Sequence, residues 1–91
     1  MYNWQTDSVF SLVYNYFKAQ VSIINLTPIV DVIRTKKSNQ GISYFEYKII
    51  YSSLEYGIVR NYPEINKFQV ISYIADGTDI YQMTKKSVSL V

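Results

Sequence analysis

The stretch Gly41-Ile42-Ser43-Tyr44-Phe45-Glu46-Tyr47-Lys48-Ile49-Ile50-Tyr51 keeps one alternating pattern along its length. Extended as a strand, it sends Phe45, Tyr47, Ile49 and Tyr51 to one face and Tyr44, Glu46, Lys48 and Ile50 to the other. One face is wholly apolar or aromatic. The opposite face sets a glutamate and a lysine between Tyr44 and Ile50, the pattern of a strand with one buried and one partly wet side. The stretch reads as the central strand, and the rest of the chain is ordered around it.

Immediately upstream, Ile29 to Lys36 has two mixed faces, which suits an outer or edge strand. The polar cluster Lys37-Ser38-Asn39-Gln40-Gly41 reads as the hairpin loop between the two strands, with Asn39 or Gly41 taking positive φ, so they are expected to be antiparallel neighbours. Thr27-Pro28 interrupts what precedes, because proline lacks an N–H and biases the residue before it toward extended geometry. Before that break lies a helix starting near Thr6 or Asp7, either of which can accept a hydrogen bond from the free N–H groups of the first turn. Val9, Leu12, Val13, Tyr16 and Phe17 recur at helical spacing as its apolar stripe, with Phe10 and Tyr14 beside it. The helix is expected to end near Gln20. Val21 to Ile24 is β-branched and favours a strand, although Val21 and Ile24 also continue the stripe.

Downstream, Ser52-Ser53 predicts a bend before alternation resumes through Leu54, Tyr56, Ile58 and Arg60. Gly57, inside that strand, marks a bend or a close backbone approach. Asn61 to Asn66 has turn composition. Phe68, Val70 and Ile74 are then expected to face one way and Gln69, Ile71 and Tyr73 the other. Asp76-Gly77 is the best hairpin signal in the chain, leading to a strand around Ile80 to Met83 and an edge strand or tail from Ser87 to Val91. The expected fold is α+β: an N-terminal helix packed on an antiparallel sheet of four to six strands, a meander in the first place and a small, partly closed barrel in the second.

The 91 residues read as a single domain, 1–91, that buries only about 60–65% of its unfolded surface, so its core is small. The chain has neither cysteine nor histidine, which removes disulfides, thiolate sites and the usual zinc sites and predicts no metal and no cofactor. The longest uncharged run, Ala19 to Val30, is too short for a bilayer core of about 30 Å, and Met1 to Asp7 carries no basic leader signal. The expectation is a soluble, cytoplasmic protein. Tyrosine, isoleucine, asparagine and lysine make up 35 of the 91 residues, and all four have A- and T-rich codons, which points to an AT-rich genome such as that of a virus, a mobile element or a low-GC bacterium. In a viral case the location is the host cytoplasm.

The same absence of histidine and cysteine removes the commonest general bases and nucleophiles, so no catalytic residue is assigned and the chain is expected not to be an enzyme. Asp76 and Asp79 flank Gly77 in a surface turn, where no cleft separates their ionisation, and they lack the further ligands of a calcium loop. The favoured function is a small non-catalytic interaction or assembly protein, acting as a homodimer or within a larger protein assembly. Its interface is expected at Trp4, Tyr44, Lys48 and Ile50, because aromatic residues are 16% of the chain and such a small domain cannot bury them all. Trp4 alternatively folds back onto the core. Edge pairing of the Ile29 to Lys36 strand is one route to a dimer. The alternative function is single-stranded nucleic-acid binding through Lys36, Lys37, Tyr44, Lys48, Lys85 and Lys86, with Lys67 near them, although a net charge of +2 is small for that role. Lysine pairs at strand edges equally serve to block aggregation.

Overall fold

The computed structural model describes residues 2–21, 28–82 and 87–89, with side chains through residue 80. Asp7 starts the helix: its Oδ1 accepts hydrogen bonds from the backbone N–H groups of Val9 at 2.9 Å and Phe10 at 3.2 Å, satisfying donors that have no partner within the helix. The helix α1 runs Ser8–Gln20, preceded by a single 3-10 turn at Trp4–Thr6, and ends where expected. Val21 lies beyond it and is buried. The rest of the expected β-branched segment, Ser22 to Ile24, falls outside the described residues.

The sheet is an antiparallel meander in the order β1 (Asp31–Asn39), β2 (Ile42–Ile50), β3 (Tyr56–Tyr62), β4 (Lys67–Ala75) and β5 (Thr78–Gln82), with a short β6 (Ser87–Ser89) also paired to β4. It is open, not a barrel, and α1 covers one face. The expected central strand is β2; it is interior, but β3 holds the middle of the order. The first hairpin is tighter than expected. Only Gln40 and Gly41 form its turn, at φ 53° and 80°, so β1 continues through Lys37, Ser38 and Asn39; Gly41 takes the positive φ expected of Asn39 or Gly41, and Gln40 takes a second one. The bend at Ser52-Ser53 and the turn at Asp76-Gly77 are present, and a 3-10 turn at Pro63–Ile65 followed by left-handed Asn66 joins β3 to β4.

The core lies between α1 and the sheet. Phe10, Val13, Phe17 and Val21 meet Val32, Tyr47, Ile49, Tyr51, Val59, Phe68, Val70 and Tyr73, all buried, with Phe45 partly so. The face of β2 expected to be buried is therefore the helix-covered one. The helix stripe is corrected in part: Val13 and Phe17 are buried and Tyr16 packs against the core as expected, but Val9 and Leu12 are 42% and 58% exposed, while Phe10 is buried and Tyr14 packs against the core. Residues 10, 13, 14 and 17 satisfy the same helical spacing as the expected set, and the register that wins is the one that buries the larger Phe10 ring between Trp4, Tyr14 and Tyr47.

Gly57 marks the close approach. A Cβ built there would stand 2.3 Å from Cζ of Phe17, whose ring lies across β3. A second correction concerns β4. Ile58 pairs with Ser72 and Val59 with Val70, which leaves Ile71 as an extra residue, a bulge that reverses the alternation. Tyr73, expected to face away from Phe68 and Val70, turns into the core with them, and Ile74 turns out.

Candidate interaction face

The second sheet face carries no helix among the described residues. The strand registers arrange it in rows across the sheet. Asp31, Ile50, Tyr56 and Ile74 form one row and Ile33, Lys48, Ile58 and Ser72 the next. Thr35, Glu46, Arg60 and Gln69 follow, and then Lys37, Tyr44, Tyr62 and Lys67. The first two rows are mainly aliphatic and aromatic. The last two hold a compact ionic and aromatic cluster.

Glu46 anchors that cluster. Its Oε2 accepts from Nζ of Lys37 at 2.8 Å and its Oε1 from Nε of Arg60 at 3.3 Å. Partial burial alone would raise the Glu46 carboxyl, but the hydrogen bonds from Lys37 and Arg60 outweigh it and hold the group below the usual glutamate range. The same hydrogen bond raises the Lys37 ammonium. Arg60 also lies over the Tyr44 ring, 5.0 Å from its centre, and the Tyr44 and Tyr62 rings stand 5.0 Å apart. Tyr62 donates to Oε1 of Gln69 at 3.2 Å. Tyr44 is consequently only 7% exposed on a face that carries no helix of the described residues other than short turns. In the aliphatic half, Lys48 holds its ammonium 4.4 Å from the centre of the Tyr56 ring.

The helix side carries a different polar set. Asp7 Oδ2 accepts from the Tyr2 hydroxyl at 2.9 Å and lies 3.6 Å from Nη1 of Arg34, while the Arg34 guanidinium stacks over Tyr2 at 4.3 Å. These contacts tie the start of α1 to β1. Tyr73 donates to Oε2 of Glu55 at 2.7 Å, and burial followed by that bond pushes its hydroxyl up to about 12. Tyr51 donates to the Tyr14 hydroxyl at 3.2 Å, joining helix to sheet.

The expected site residues divide between these two sides. Tyr44, Lys48 and Ile50 share the helix-free face. Trp4 does not join them: it sits on the helix side, its ring edge-on to Phe10 at 6.0 Å. Of the expected nucleic-acid set, Lys37, Tyr44 and Lys48 lie on the helix-free face, whereas Lys36 is opposite Phe45 and belongs to the other. Lys85 and Lys86 fall outside the described residues, and Lys67 is on the rim of the helix-free face. Arg60, Tyr62, Tyr56 and Ile58 complete the face and were not assigned to it from sequence. Their alternation was visible, but the cross-strand register that sets Arg60 beside Glu46 was not.

Two shallow cavities of about 200 Å³ flank the helix, one bordered by Trp4, Asp7, Phe10 and Tyr14, the other by Val9, Leu12, Pro63 and Phe68. Both fall short of the roughly 300 Å³ at which small-molecule pockets begin. Asp76 and Asp79 are exposed. Among the described residues no group of acidic side chains is placed to hold a metal ion, and no helix is long and apolar enough to cross a membrane. Comparison with protein-family models, with curated proteins and with solved structures finds no match to this chain.

Proposed function

We propose that this chain is a non-catalytic interaction and assembly domain that associates with a second copy through the helix-free face of its sheet. The observation that carries the reading is the composition of that face: Ile33, Ile50, Ile58 and Ile74 lie in neighbouring rows, and Glu46 pairs with the two nearest cations. The face is also of about the right size. The strands hold 9, 9, 7, 9 and 5 residues at about 3.3 Å per residue and about 4.8 Å between strands, so the projected area is roughly 600 Å². A standard interface takes about 800 Å² from each partner.

Self-complementarity supports the same reading. A two-fold axis running along the strands between β2 and β3 stacks the aliphatic rows of both copies on each other, at the spacing of about 10 Å usual for packed sheets. It also sets Glu46 over the second copy's Arg60, and the reverse, and Ile50 over the second copy's Tyr56. The bias of the chain toward tyrosine, isoleucine, asparagine and lysine is in keeping with an AT-rich source, a virus or mobile element among them.

Single-stranded nucleic acid is the second reading, favoured by the exposed Lys48 held over the Tyr56 ring on the helix-free face. It ranks lower because Glu46 repels phosphate from the middle of the face and occupies Lys37 and Arg60. Sedimentation velocity at micromolar concentration tests the first reading. A dimer that Ile58→Glu converts to a folded monomer is expected; a wild-type monomer over the whole range overturns it. Titration of a labelled oligonucleotide at low salt tests the second, and tight, salt-sensitive binding would put it first.

A further inference from the structure

The outer edge of β1 is a separate surface from the sheet face. The two-residue turn at Gln40-Gly41 makes Asn39 and Ile42 the closing hydrogen-bonded pair of the hairpin. Alternation along an antiparallel ladder then turns the backbone groups of the odd-numbered residues toward β2 and those of Val32, Arg34, Lys36 and Ser38 outward. The outward N–H of Val32 is met locally by Oδ1 of Asp31 at 2.8 Å. Among the described residues β1 pairs with β2 alone, so the N–H groups of Arg34, Lys36 and Ser38 line an open edge. Bulge and proline, two common ways of closing an edge, are both absent from Arg34 to Ser38.

The same short run is the most cationic in the strand. Arg34, Lys36 and Lys37 are all exposed. Arg34 has Asp7 at 3.6 Å and Lys37 has Glu46 at 2.8 Å, whereas Lys36 has no carboxylate within ion-pair distance among the described residues. Arg34 and Lys36 share the helix-side face, adjacent in that face's sequence of positions.

A second copy fits this edge poorly. When two β1 strands pair antiparallel about a two-fold axis normal to the sheet, a register centred on Arg34 opposes that residue to itself. Centring on Thr35 opposes Arg34 to Lys36, and centring on Lys36 opposes the two Lys36 side chains. A register centred on Ile33 avoids these repulsions but runs out of strand at Asp31 opposite Thr35. Like charges directly opposite are destabilising in a sheet, and opposite charges favour pairing.

We propose that the β1 edge takes an extended acidic peptide segment of another protein as an added strand, hydrogen-bonded to Arg34, Lys36 and Ser38, with carboxylates at alternate positions facing Arg34 and Lys36. The main chain supplies the binding and the cations select the sequence, as in other strand-addition interactions.

The test titrates the full ¹⁵N-labelled chain with a capped peptide alternating valine and glutamate. The controls are the same peptide with lysine for glutamate, and the acidic peptide N-methylated on alternate backbone nitrogens. The expected result is protection of the Arg34, Lys36 and Ser38 amides by the acidic peptide, about tenfold weaker binding by the N-methylated form, and a similar loss in Lys36→Glu, which is exposed and leaves the core untouched. Lys36→Glu is further expected to accept the lysine peptide better than wild type does. Equal binding of the N-methylated peptide would reduce the effect to charge alone and overturn the proposal. So would absence of binding at low salt, or protection confined to amides elsewhere in the sheet.

Discussion

Substituting Gly57 by alanine sets two opposed effects against each other. The new methyl would stand 2.3 Å from Cζ of Phe17, 2.8 Å from Cε2 and 3.1 Å from Cε1, where carbon atoms ordinarily rest about 3.5–4.0 Å apart. Phe17 must therefore retreat by more than about 1 Å, measured against that contact distance. Its ring is fully buried, with Tyr14 and Tyr73 neighbouring it at centroid distances of 6.5 and 6.2 Å, so the displacement spreads into the core. Overpacking costs about 1–3 kcal/mol, and so large a displacement of a fully buried ring belongs to the upper part of that range, about 2–3 kcal/mol. Removing glycine's freedom from the unfolded chain returns about 0.4–1 kcal/mol, leaving a net loss of about 1–2.6 kcal/mol. At about 2.1 cal/mol/K per residue over 91 residues, that loss lowers the melting temperature by about 5–14 °C. Urea and thermal denaturation of Gly57→Ala, Phe17→Leu and the double variant measure it. Shortening Phe17 opens room for the methyl, so the double variant is expected to lose at least about 0.5 kcal/mol less than the two single losses combined. A Gly57→Ala protein as stable as wild type, or strictly additive losses, would refute the close packing of this ring on β3.

Asp7→Ala removes both the cap on Val9 and Phe10 and the partner of Tyr2 and Arg34, and denaturation should show a loss of about 1–2 kcal/mol, with Asp7→Asn losing less because its amide oxygen still caps. Because the Glu46 carboxyl is held below its ordinary value, its contribution is present above the unfolded value of 4.5 and disappears as pH falls through the lower folded value. The stability difference between wild type and Glu46→Gln should accordingly shrink on acidification below about pH 4.5, measured by urea unfolding across pH. At the alkaline end, burial raises the hydroxyls of Tyr2, Tyr51 and Tyr73 above 10.0, so the folded state keeps protons that the unfolded chain gives up. Their contribution is intact below pH 10 and lost as pH rises through the folded values, so stability should fall from pH 10 toward 12, with Tyr73→Phe falling less steeply.

The features legible in the sequence were those set by neighbouring residues. Alternation in β2 named its buried face, Asp7 announced the helix, and Asp76-Gly77 fixed a hairpin, because each depends on local backbone geometry. The helix stripe is legible only in part for a physical reason: Val13, Tyr16 and Phe17 do meet the core, but positions 9 and 12 and positions 10 and 14 obey helical spacing equally well, and only the sheet opposite decides between them. The ionic cluster was invisible because Glu46 and Arg60 become neighbours through strand register, not through any spacing along the chain. The open edge of β1 was foreseen as an edge, but its length was not, since the polar residues Lys37 and Ser38 look like loop until a tight turn at Gln40-Gly41 makes them strand.

The extra residue at Ile71 acts as a parity bit for everything after it in β4. Val70 stands opposite Val59 and Ser72 opposite Ile58, so deleting Ile71 would close the ladder into regular alternation with Tyr73 still in the core on Glu55 and Ile74 still outside. Loss of a residue here should therefore be milder than loss of one from the regular ladder of β2, where every later side chain would change face. In a library of variants, tolerance to deletion would rise locally at Ile71, and that local rise is the trace a bulge leaves in a sequence.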